Sequence, residues 1–133
     1  MDTTSSLHSE LVLIINKFAP TVQVSKKSLR PTTFILHTVK MNPEEVFKVY
    51  YEQSSLSSHL NAMIASLKDL QIRLNNLKLK HSYTFNIDSI NHVLNGSGGL
   101  NYYLLEGEYE LRQTTAYLAY LRAILNYAGV ISS

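Results

Sequence analysis

The sequence contains no cysteine. That excludes disulfides, thiolate metal sites and a cysteine nucleophile. No basic, long apolar signal stretch opens the chain, and the run Leu11 to Ile15 is far too short to span a bilayer. The chain therefore reads as intracellular, cytoplasmic or nuclear rather than secreted, with no membrane partner. Asn95-Gly96-Ser97 matches a glycosylation acceptor, but without a secretion signal it reads as a turn.

Charge is scarce. Charged residues make up 17% of the chain, against roughly 25% in an average soluble protein. A free two-stranded coiled coil is charge-rich because most of its surface is wet. This composition points instead to a compact bundle, or to faces covered by other chains. With 133 residues and 45% hydrophobic content, residues 1–133 fit a single helical domain with a real core.

Reactive constellations are also missing. His8, His37, His59, His81 and His92 are scattered, and none sits in a Glu-x-x-His pair or a His-Glu-x-x-His motif. Asn95 to Gly99 lacks the lysine and the preceding strand of a phosphate loop. No serine lies in a nucleophile elbow. The reading is that the protein is not an enzyme, with no cofactor, no metal and no evident small-molecule substrate.

What the chain does have is a long seam. Val46, Val49, Gln53, Leu56, Leu60, Met63, Leu67, Leu70, Leu74 and Leu77 follow one another in steps of three and four, and only Gln53 is polar. Such a stripe is what one helix offers to another. Its start is strongly marked. Asn42 is the cap, Pro43 the first helical residue, Glu45 completes the capping box, and Met41 and Val46 form a staple. The helix is predicted over about 43–80, roughly 57 Å long. Ser54-Ser55-Leu56-Ser57-Ser58 favours a kink or break, but the heptad phase survives it, which argues for a bend. Lys78, Lys80 and His81 suit the negative end of the helix dipole.

The rest of the chain reads as follows. Residues 1–5 are flexible. A first helix runs from about Ser6 to Phe18, with Leu7, Leu11, Ile14 or Ile15 and Phe18 on one face, and Pro20 stops it at Ala19. Residues 19–41 form an irregular basic segment, a hairpin or an extended strap over 21–40. A short helix with Ile87, Ile90, Val93 and Leu94 ends at Asn95-Gly96, and Ser97-Gly98-Gly99 is a loop. The last helix spans about 100–128. Its seam is Leu104, Gly107, Leu111, Thr114, Leu118, Leu121, Leu125 and Ala128, with Gly107 allowing close helix approach. The fold class is all-α, a bundle of two long and two shorter helices.

Between Glu10 and Glu44 there is no acidic residue, while Lys17, Lys26, Lys27, Arg30 and Lys40 are basic; Glu106, Glu108 and Glu110 read as a solvated acidic helix start. Phe47, Tyr51, Ile72 and Leu79 fall on outer faces of the long helix. Tyr102, Tyr103, Tyr109, Tyr117, Tyr120 and Tyr127 of the last helix read as spread over several faces, suited to packing or a protein interface. The favoured function is a non-catalytic structural or adaptor subunit that assembles through coiled-coil-like helix faces. Its partner is itself, as a homo-oligomer, or another protein, with Tyr51, Ile72, Tyr109 and Tyr120 at or near the contact. The alternative is a nucleic-acid-associated protein using segment 17–40, with Lys26, Lys27, Arg30 and Lys40 as phosphate contacts.

Overall fold

Capping begins the longest element. The Glu45 amide donates to the Asn42 side-chain oxygen at 2.9 Å, and the Val46 amide donates to the Asn42 carbonyl at 3.1 Å. The Glu45 carboxylate accepts from the Asn42 side-chain amide at 3.2 Å, a variant of the usual box in which it would return to the cap's backbone. In the computed structural model, which describes residues 3–27, 42–80 and 87–127, four α-helices lie among the described residues. They are α1 (Thr3–Lys27), α2 (Pro43–Lys80), α3 (Ile87–Asn95) and α4 (Leu100–Tyr127). The protein is an all-α bundle.

The serine run neither breaks nor ends α2, which is helical from Pro43 to Lys80. Ser58 donates to the Ser54 carbonyl at 3.2 Å, and Asn61 donates to the Ser57 carbonyl at 3.0 Å. These polar side chains satisfy themselves one turn back along the helix. Leu56, in the middle of the run, is buried and holds that stretch to the core. Along the seam, Val46, Gln53, Leu56, Leu60, Met63, Leu67, Leu70 and Leu74 are buried, and Val49 and Leu77 are half-buried.

The first helix corrects the expectation at Pro20. α1 does not stop at Ala19 but continues through Pro20 to Lys27. Proline costs one backbone hydrogen bond inside a helix. Beyond it, however, Val22 and Ser25 are buried and extend the stripe of Leu7, Leu11 and Phe18. Burial along those roughly two extra turns outweighs the proline. The predicted irregular segment is therefore helical as far as Lys27, and its remainder, 28–41, lies outside the described residues together with the choice between hairpin and strap. Thr3 to Ser5 belong to α1, while Met1 and Asp2 lie outside the described residues.

α3 and α4 meet at a tight corner. The Gly96 amide donates to the His92 carbonyl and the Gly99 amide to the Gly96 carbonyl, both at 2.8 Å. Gly98 has φ 68°, the left-handed region that a side chain would strain. The corner is fastened to α2: Gln71 donates to Asn101 at 2.7 Å, and Lys78 donates to Asn91 at 2.9 Å.

α2 and α4 run antiparallel. Asn101 meets Gln71 near one end, while Arg122 donates to the Tyr50 hydroxyl at 3.1 Å near the other. Midway, Gly107 lets the helices close up. A Cβ there would overlap the Met63 terminal methyl and lie 3.4 Å from Ile64. The larger apolar cluster joins α1, α2, α3 and the start of α4, and a smaller one gathers Val46, Tyr117, Leu121 and Leu125. Polar ties lock α1 in place. Arg73 of α2 binds Glu10 of α1, with one N–O pair at 2.9 Å, and also Asp69. Lys26 binds Glu106 of α4 at 2.9 Å.

Candidate assembly face

α4 has two opposite faces of different chemistry. Its inner face buries Leu100, Leu104, Gly107, Glu110, Thr114, Tyr117, Leu121 and Leu125. Glu110 is a correction. Read as part of a solvated acidic start, it is only 2% exposed and accepts a hydrogen bond from Ser25 of α1 at 2.8 Å. The signal was present, because 107, 110, 114, 117 and 121 also step by three and four, parallel to the apolar seam. Glu106 is likewise mostly covered and bound by Lys26. That hydrogen bond pushes the Lys26 ammonium above its ordinary value. Burial pushes the Tyr117 phenol up as well.

The outer face is lined with tyrosine. Tyr102 is 57% exposed, Leu105 68%, Tyr109 47% and Tyr127 94%. Tyr120 is half-buried against the smaller cluster, and Ala116 and Ala123 are exposed. These tyrosines share one stripe, contrary to the expectation that they spread over several faces. Eighteen residues make five turns of about 3.6, so Tyr120 lies directly over Tyr102; a seven-residue step lags by only roughly 20°, which keeps Tyr109 and Tyr127 in line. Tyr103 and Tyr117 alone point elsewhere. Tyr103 meets the Tyr102 ring edge-on at 5.2 Å, and Tyr117 is buried.

Of the four residues expected at an interface, Tyr109 and Tyr120 fall together on this stripe. Tyr51 and Ile72 are exposed on α2. They are 21 positions apart, roughly 31 Å along a helix, and exposed Ser58, Asn61 and Asp69 interrupt the surface between them. The α2 exterior is thus not a continuous apolar face. Leu56, Leu60, Met63, Leu67, Leu70, Leu74 and Leu77 are occupied by internal packing. Of the expected phosphate contacts, Lys26 sits in the last turn of α1 rather than in a loop and is held by Glu106, and Lys27 is exposed at the helix end. Arg30 and Lys40 lie outside the described residues.

A groove of about 210 Å³ opens between α1, α2 and α4, lined by Ile14, Ile15, Val22, Met63 and Leu67, with Glu106 at its rim. It suits an apolar group and offers little for chemistry. Among the described residues, no three histidine, aspartate or glutamate side chains gather as a metal site, and no helix is long and apolar enough to cross a membrane. Compared with family models, curated proteins and solved structures, the chain matches none. The reading of this face therefore rests on its own geometry.

Proposed function

We propose that the protein is a non-catalytic structural or adaptor subunit that assembles through a helix face, and that the face is the outside of α4. The observation that carries this is the stripe Tyr102, Leu105, Tyr109, Tyr120, Tyr127 on the side opposite the buried seam. A wet helix exterior ordinarily carries several charges; here the line from Tyr102 to Tyr127 carries tyrosine, leucine and alanine, with exposed Arg112 beside it. Tyrosine suits such a role because its ring buries a large area at low entropic cost while its hydroxyl finds a partner at the rim. A contiguous apolar patch is rare on a soluble monomer and marks an interaction surface.

Stacking on nucleic acid would use the same rings but calls for cations beside them. Arg112 is the nearest cation on this side of α4, and Lys26 is engaged with Glu106. A protein surface is the better match. The test is the mass of the native particle, measured on the purified chain and on the particle taken from its source. The expected result is a mass above that of one chain in the source particle. One chain alone in both preparations would remove the reading.

A further inference from the structure

We infer that the partner of the α4 face is a second copy of this chain, docked α4 against α4 in antiparallel fashion about a two-fold axis beside the turn from Gln113 to Ala116. This rests on the assembly reading above and adds to it the occupant, the direction and the register.

The stripe reads the same in both directions. Tyr102 to Tyr109 is seven residues and Tyr120 to Tyr127 is seven; Tyr109 to Gln113 is four and Ala116 to Tyr120 is four. A two-fold contact requires that if residue i meets residue j, then j meets i. Antiparallel helices centred between Gln113 and Ala116 meet that requirement along the whole stripe. Tyr102 comes level with Tyr127 of the second copy, Tyr109 with Tyr120, and Gln113 with Ala116. On one flank the protruding Leu105 comes within one residue of the small Ala123. The repeat of eighteen residues in five turns also keeps the stripe straight along α4, so two such faces stay in contact over its length.

Size agrees. A tyrosine buries roughly 150–250 Å² when fully covered. Discounted for what their own helix already covers, four per chain with the intervening leucine and alanines offer at most about 500–750 Å² per partner, reaching the lower part of the roughly 600–1,000 Å² per partner of a standard-size interface. Direction follows from the stripe itself. Run parallel about a two-fold, each residue would meet only its own copy, and the protruding Leu105 would meet Leu105; run antiparallel, each end of the stripe meets the matching spacing of the other end.

The chain has no cysteine, so single cysteines report the geometry cleanly. Ala116 and Ala123 are both exposed on α4. Ala116→Cys lies next to the axis and should cross-link to its own copy under mild oxidation. Ala123→Cys should not, because its copy lies about 25 Å away along the antiparallel pair. Sedimentation of the unmodified chain at micromolar concentration should give a dimer, and Tyr109→Lys should weaken it at least tenfold without loss of helicity. A monomer, or cross-linking at both positions or at Ala123→Cys alone, overturns the inference. In those cases a source particle heavier than one chain still upholds assembly through helix faces, so the two failures are distinguishable.

Discussion

Tyr117 lies in the smaller cluster with Val46, Leu121 and Leu125, and burial raises its phenol above the ordinary 10.0. The folded chain thus keeps this proton after the unfolded chain has released it. Its contribution is constant below about pH 10, and above that stability falls with rising pH, by up to about 1.4 kcal/mol per pH unit. Lys26 works in the same direction. Glu106 raises its folded value, so the pair's stabilisation is present below 10.5 and disappears as pH climbs through that raised value. With the Lys26 side chain 42% exposed, the pair contributes no more than about 1 kcal/mol. Urea titrations between about pH 8 and about pH 11 should show that Tyr117→Phe loses part of the alkaline decline. An identical decline in both proteins would mean that the phenol ionises equally in the folded and unfolded states. At this scale the sequence was legible where a residue's neighbours along the helix decide its fate. For Glu110 the spacing along α4 marked the inner face, but its partner Ser25, 85 positions away, was not legible.

Elements differ in how local their signals are. Asn42, Pro43 and Glu45 mark the start of α2 within four positions, and the hydrogen bonds at 2.9 and 3.2 Å are made by those same residues. The end of α3 at Asn95 was similarly readable, because Gly96 follows it directly. The end of α1 was not. The proline rule looks one turn ahead, whereas the reason for continuing lies in the packing of Val22 and Ser25 on other helices. Pro20 itself is exposed and leaves the Asn16 carbonyl without its helical donor. Pro20→Ala should therefore raise stability, by about 1–3 kcal/mol after allowing for the looser unfolded chain. A shift of the denaturant midpoint to higher concentration checks this. No shift, or a shift downward, would mean that α1 gains nothing from a donor at this position.

Across the molecule the two apolar clusters are unequal. The larger runs from Leu7 of α1 through Leu56 to Leu74 of α2 and on to Leu104 of α4, and the smaller depends on α2 and α4 among the described residues. Opening free energy follows the density of buried apolar contacts. Amides over 60–74 of α2 should exchange most slowly with solvent. Those over 118–127 of α4 should exchange at least about tenfold faster, equivalent to about 1.4 kcal/mol. The antiparallel pairing then makes a second demand on the same experiment. It lays the firmly held first half of one α4, with Tyr102 and Tyr109, over the weaker second half of the other, with Tyr120 and Tyr127. Protection over 118–127 should consequently rise with protein concentration as the dimer fills, by mass action, while protection over 60–74 stays set by the fold of each chain. Exchange over 118–127 that is independent of concentration from nanomolar to high micromolar would show that the tyrosine stripe remains uncovered by a second copy.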